Sequence, residues 1–298
     1  MAKLKLHNPS QKSSRTHLSV IADSVIGEDL SKYLRQQGLD VFAIDSRRPW
    51  EEIISEVRKQ GPQLALSINC EHFPPAQLAG IKELQWINLN LGEIPKYSGG
   101  LSVQRAIMSG DMKLEIVLHQ IKPDLNRADI IARDSTPILS EDSGFALYSR
   151  AIELGLQLLK GRLQGIILGN EEYLESIYCG PEDWAEADGG IAVIDWNRTA
   201  FDIHNLIRAF TCPYGGAISQ ILGCQIRILE SRIANPFNPD LIPGTIISAF
   251  GKHNLDVATG SGTLRILDYK IRGGIKPAPG DCFESEIKRQ IPEGVAIE

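Results

Sequence analysis

The chain has 298 residues, 43% of them hydrophobic and 23% charged, enough apolar material for one large domain and a smaller one. Its formal net charge is -6, from 31 Lys and Arg against 37 Asp and Glu, so no overall field attracts phosphate backbones or anionic membranes, and nucleic acid is not the expected partner. Five scattered cysteines without a C-x-x-C pair argue against a disulfide framework or a metal site and point to reduced thiols in the cytoplasm.

Residues 1–16 mix Lys3, Lys5, Lys12 and Arg15 with Ser and Asn. They read as a flexible tail rather than a signal peptide, and nowhere does an apolar run approach the roughly 20 residues of a membrane helix. Residues 17–22 form an apolar strand, followed by a helical period through Leu30, Tyr33 and Leu34 that stops at Gly38, then a strand at 41–44. A helix at 50–60, a buried strand at 64–68, a short helix after Pro74 and Pro75 and a strand at 86–89 continue the pattern. Such alternation predicts an α/β, Rossmann-like parallel sheet with helices on both faces. Ligands bind beyond the carboxyl ends of such strands, which directs attention to residues 69–73 and 88–100.

A strand at 114–121, a loop at 122–128 and a strand at 129–133 follow. The apolar spacing of Phe145, Leu147, Ala151, Leu154, Leu158 and Leu159 predicts a long helix over 143–160, closing a domain of residues 17–160. Glycines at 161, 165, 169, 180, 189 and 190 mark 161–190 as an irregular linker. The remainder, 191–298, opens with a helix at 200–210. Short strands at 225–230, 244–249, 255–258 and 263–269 follow, a smaller β-rich, barrel-like domain.

Two stretches carry a resemblance. The run Asn88-Leu89-Asn90-Leu91-Gly92-Glu93-Ile94-Pro95-Lys96-Tyr97-Ser98-Gly99 resembles, in register, the first signature of the folate-dependent formyltransferases, in which an Asn is followed two positions later by a His and then by Pro, a basic residue, Tyr and Gly. Residues 120–131, with Leu125-Asn126-Arg127-Ala128-Asp129, are similar to the second signature, built around an Asp. Further on, Ile194-Asp195-Trp196, His204 to Ala217, Pro243 to Ile246 and Ala258 to Gly262 resemble the carboxyl-terminal domain shared by methionyl-tRNA formyltransferase and an amino-arabinose formyltransferase.

The resemblance implies transfer of a formyl group from 10-formyltetrahydrofolate to an amine. In the family an Asn and a His face the developing oxyanion, and the Asp keeps the His charged. Carried over, these are Asn88, Asn90 and Asn126: the first is conserved in type, and the other two are asparagines where proton-handling groups stand. Carboxamides can donate hydrogen bonds to an oxyanion but cannot exchange protons near neutral pH, so Glu93, Asp124 and His72 are the candidate substitute bases. The same alignment assigns the folate pocket to Cys70, His72, Phe73, Asp124 and Leu125, and the acceptor side to Glu93, Tyr97 and Gly99. Asp129, His119 and His204 read as structural.

Residues 191–298 carry eleven Lys and Arg against eleven Asp and Glu. A neutral domain favours a small-molecule amine, an amino sugar or a carrier-bound amino acid, over tRNA. A scaffold that lost its chemistry and acts as a binding partner is the alternative implied by Asn90 and Asn126, and methionyl-tRNA formylation is the second.

Overall fold

The computed structural model describes residues 16–70, 81, 84–98, 101–122, 127–179, 192–234, 240–251, 253–271, 273 and 275–284. Its chain divides into two compact units: residues 1–103, 112–137 and 148–187 form one, and residues 104–111, 138–147 and 188–298 form the other.

The first unit is built on a seven-stranded sheet of β1 (His17–Ala22), β2 (Asp40–Asp45), β3 (Leu64–Ile68), β4 (Gln85–Asn90), β5 (Lys113–Lys122), β6 (Arg127–Pro137) and β7 (Glu175–Tyr178), in the order β2-β1-β3-β4-β5-β6-β7. The strands β2, β1, β3 and β4 run parallel. From β4 onward each pair is antiparallel. The parallel sheet expected from the alternation is therefore its first half. Only residues 123–126 separate β5 from β6, too few for a parallel crossover, which needs a dozen or more.

Between β1 and β2, the helix α1 (Ser24–Gln36) starts where the Asp23 carboxylate accepts the amides of Val25 and Ile26, a side-chain N-cap. The helix α2 (Trp50–Gln60) has Glu51 and Glu52 in its first turn and Arg58 and Lys59 in its last, charges that complement its dipole, and Gly61 ends it at φ 59°. Its inner residues Ile53, Ile54 and Val57 pack in one buried cluster with Ile21, Ala65, Trp86 and Val117 of the sheet, a face that also holds every second residue of β4. Two further helices are α3 (Ser102–Met108) and α4 (Gly144–Leu168).

The linker expected at 161–190 is corrected at its start. The helix α4 runs through Gly161 and Gly165 to Leu168, and β7 then joins the sheet beside β6. Leu163 and Ile166 are buried, and that burial outweighs the roughly 1 kcal/mol penalty of a helical glycine. Residues 180–191 lie outside the described residues.

The second unit contains α5 (Ala200–Phe210), capped by the Thr199 hydroxyl, and a curled six-stranded antiparallel sheet. Its strands are β8 (Ala217–Ile221), β9 (Cys224–Ala234), β10 (Ile246–Phe250), β11 (Asn254–Ala258), β12 (Thr263–Ile271) and β13 (Phe283–Glu284), in the order β10-β11-β12-β9-β8-β13. A bridge between Thr245 and Cys282 draws the two ends together, which accounts for the barrel-like character expected from the short strands. Trp196 is fully buried, stacks on Phe283 at 4.7 Å and donates its indole N–H to Ser219 Oγ at 2.9 Å. Among the described residues, no helix is long and apolar enough to cross a membrane.

Two glycines with positive φ separate conformational from steric demand. At Gly61, φ is 59° and open space surrounds the position of a Cβ, whereas at Gly216, φ is 88° and a Cβ would sit 2.7 Å from the Ile228 carbonyl oxygen. Gly61→Ala is expected to cost about 1 kcal/mol, the left-handed penalty alone. Gly216→Ala should cost roughly 2–4 kcal/mol because backbone must also move. Denaturant melts of the two variants check this, and equal losses would refute the steric part.

Candidate active site

The candidate site is assembled by strand register. Ser67 on β3 lies beside Asn88 on β4, and Asn88 lies opposite His119 on β5. Three polar residues thus form a row across the sheet, on the face that α2 covers. A register shift in the β5–β6 ladder falls between Leu118 and His119, the kind of bulge that re-aims a side chain.

Hydrogen-bond contacts link the four side chains of the row. Trp86 donates its indole N–H to Ser67 Oγ at 2.9 Å, Ser67 donates its hydroxyl to Asn88 Oδ1 at 2.7 Å, and Asn88 Nδ2 lies 3.1 Å from His119 Nε2. All four side chains are buried, Asn88 at 4% exposure and His119 at 0%. Burial depresses the His119 imidazole to about 3, so it is neutral at physiological pH and its Nε2 accepts from the Asn88 amide.

Asn90, two residues along the same face, does something different. Its amide donates to the Gly92 carbonyl at 2.9 Å and to the Tyr97 carbonyl at 3.0 Å. The turn after β4 closes around it: the Tyr97 amide donates to the Glu93 carbonyl at 2.7 Å, and the Ser98 hydroxyl to the Pro95 carbonyl at 2.9 Å. The Ile94–Pro95 peptide is cis. A Cβ on Gly92 would meet that of Tyr97 at 2.6 Å, so this close turn needs glycine there. With both amide hydrogens engaged, Asn90 has none to offer a ligand in this arrangement, whereas Asn88 keeps one beyond the bond to His119.

The structure brings Asn88, Asn90, Glu93 and Tyr97 together at the end of β4. Tyr97 is buried, with the Lys96 ammonium 4.7 Å from its ring, and Glu93 is exposed. Cys70 is half-buried just past β3, its thiol 3.4 Å from the Ile21 carbonyl oxygen. It follows Asn69, which adopts φ 43°, a left-handed conformation that asparagine tolerates. The other expected site residues, His72, Phe73, Gly99, Asp124, Leu125 and Asn126, lie outside the described residues. Asp129 has a structural setting: it accepts from Ser176 and pairs with Lys122 at 3.4 Å and Arg127 at 3.7 Å.

Ser67 and His119 are members of the row without a motif to mark them in the sequence. The available signal was a polar residue inside each of two apolar strands, Leu-Ala-Leu-Ser-Ile and Ile-Val-Leu-His-Gln-Ile. A buried polar group is the informative exception in such runs.

The His119 environment gives a pH dependence with a definite sign. The folded state holds the imidazole neutral down to about 3, while an unfolded His takes up a proton near 6.5. Stability should therefore fall as pH drops from about 6.5 toward 3, with a limiting slope of roughly 1.4 kcal/mol per pH unit from this group. Urea melts across that window should show a shallower loss in His119→Gln, and parallel curves would show that His119 is not held neutral.

Residues 191–285 match the formyl transferase C-terminal domain. A methionyl-tRNA formyltransferase from Marinobacter nauticus is 29% identical over 86% of this chain and 81% of its own. Among solved structures, HypX from Aquifex aeolicus in complex with tetrahydrofolic acid superposes with a TM-score of 0.62 at 14% identity, covering 86% of this chain. This chain spans only 44% of HypX. An N-formyltransferase from Helicobacter canadensis, in complex with folinic acid and dTDP-3-aminofucose, gives a TM-score of 0.56 at 17% identity over 86% of this chain and 100% of its own. Residues 191–285 thus carry a formyl transferase C-terminal domain, and the chain as a whole is similar in sequence to methionyl-tRNA formyltransferases and in fold to HypX and the N-formyltransferase.

Proposed function

We propose that this protein transfers a formyl group from 10-formyltetrahydrofolate to the amine of a small molecule, an amino sugar or an amino-acid derivative, with Asn88 facing the reacting carbonyl. The observation that carries this reading is the Asn88 carboxamide, buried at the carboxyl end of β4, bonded at its oxygen and at one amide hydrogen, and left with a second hydrogen to donate. The folate-bound neighbours HypX and the Helicobacter canadensis N-formyltransferase support the donor.

The donor supplies an activated formyl carbon: the amine nitrogen bonds to it, its bond to N10 breaks, a proton leaves the amine and one reaches N10. This chain's part is to orient and stabilise. One well-aimed donor to the oxyanion typically contributes about 10² to 10³ in rate. Asn90 cannot move a proton, and it serves instead to fix the turn that carries Tyr97 and Glu93. General acid–base help, ordinarily about 10² to 10⁴, must then come from Glu93 or from Asp124 or His72. Without it, the best acceptor is an amine whose basicity adjacent oxygens lower, because it is already unprotonated near neutral pH. An amino sugar meets that condition. Cys70 is a candidate folate contact, together with His72, Phe73 and Leu125.

Methionyl-tRNA as acceptor is the second reading, favoured by the sequence similarity to methionyl-tRNA formyltransferases. It requires tight, salt-dependent tRNA binding, against which stands the equal count of basic and acidic residues in 191–298.

Mass spectrometry of a panel of amines incubated with the protein and 10-formyltetrahydrofolate is expected to show a formylated product, and Asn88→Ala to lower its rate about 10²-fold or more. Asn90→His combined with Asn126→Asp should raise the rate by restoring a proton-handling pair, and each single change should do much less, a non-additive pattern for groups that act as a unit. Asn90→His alone also gives up bonds that hold the turn. A double variant slower than the wild type would mean that the chemistry runs through another base. Absence of product together with absence of folinic acid binding in calorimetry would favour a binding protein.

A further inference from the structure

We propose that Ser67 and His119 are positioning residues that lock the Asn88 carboxamide in one orientation, so that its remaining amide hydrogen, and not its carbonyl oxygen, faces the formyl group. This rests on the formyl-transfer reading of the site.

A primary carboxamide is nearly symmetric in shape, and a half-turn about its last bond exchanges an acceptor for a donor. In the wrong orientation, Asn88 would present oxygen lone pairs to a developing oxyanion and repel it. Orientation therefore matters more than presence.

The row supplies a direction, beginning at a group with no choice. The Trp86 indole N–H can only donate, and it donates to Ser67 Oγ. The Ser67 hydroxyl must then send its own hydrogen elsewhere, and Asn88 Oδ1 at 2.7 Å is a far better acceptor than the Ile87 carbonyl at 3.4 Å. That fixes Oδ1 on the Ser67 side and turns Nδ2 toward β5. There the bulged strand places His119 Nε2 at 3.1 Å, which accepts if the imidazole carries its proton on Nδ1. Burial keeps the ring neutral, so the acceptor persists across the physiological range. Each bond polarises the next.

The same facts keep His119 from acting as a base. An imidazole that is 0% exposed and depressed to about 3 binds a proton too weakly to take one from an amine at neutral pH.

The test uses the full chain and four variants. His119→Leu and Ser67→Ala should each lower kcat about 10- to 100-fold while KM for 10-formyltetrahydrofolate stays within about twofold, since only a transition-state interaction is misaligned. His119→Gln, which keeps an acceptor in reach of Asn88, should recover most of the loss. A second readout is independent of turnover: ¹⁵N spectra should show His119 as the neutral, Nδ1-protonated tautomer. The Asn88 side-chain amide signal, assigned by its loss in Asn88→Ala, should move on addition of folinic acid in the wild type and not in His119→Leu. Wild type that formylates no amine while both spectral results hold would end the functional reading and leave the positioning inference standing. Equal kcat in the Leu and Gln variants, an Nε2-protonated imidazole, or a folinic acid response that is absent in the wild type or unchanged in His119→Leu would each overturn it.

Discussion

The described part of the candidate site depends on one constraint: polar groups buried in the interior of a sheet must satisfy one another. Asn88 and His119 sit in strands whose neighbours are apolar and fully buried, such as Leu89, Val117 and Leu118. An unpaired carboxamide or imidazole there would cost about 1–3 kcal/mol. Strand register lowers that cost by setting Ser67, Asn88 and His119 side by side, and the ladder that stabilises the sheet also aims the side chain. Rigidity of this kind suits a stabilising dipole, whose value lies in costing no reorganisation when charge develops.

Asn90 shows the same constraint with another outcome. A carboxamide carries two amide hydrogens on one nitrogen, and the turn after β4 offers two converging carbonyls, those of Gly92 and Tyr97. An imidazole in the same place could not donate two bonds from one nitrogen. The asparagine therefore fits the turn better than a histidine would, and Gly92 permits the close approach that the fit requires. A carboxamide here cannot handle protons, and its two bonds fix the turn instead.

Much of the architecture was legible in the chain. The alternation through β1, α1, β2, α2, β3 and β4 follows from apolar period and turn residues, both local properties. The elements that escaped are those without a local signal. The strand β13 has two residues, β7 is largely exposed and shows no alternation, and the glycines of α4 read as breaks because the burial of Leu163 and Ile166 is a tertiary fact. The site divides in the same way. Asn88, Asn90, Glu93 and Tyr97 lie within ten residues and could be recognised as a run. Ser67 and His119 are 21 and 31 positions from Asn88, and their partnership exists only through register, which a single sequence does not display.

The two halves of acyl-transfer catalysis place opposite physical demands on a fold of this kind. Orientation of a dipole is secured by burial: the drier the site, the stronger and more directional the bonds through Trp86, Ser67, Asn88 and His119 become. Proton exchange has the opposite requirement, a group whose charged and neutral forms are close in free energy at working pH, which the same burial denies to His119. A buried row of this kind cannot serve both ends. The proton-handling group must then be sought where solvent reaches, as it does at Glu93, or among the residues beyond the ends of β3 and β5, rather than in the sheet itself.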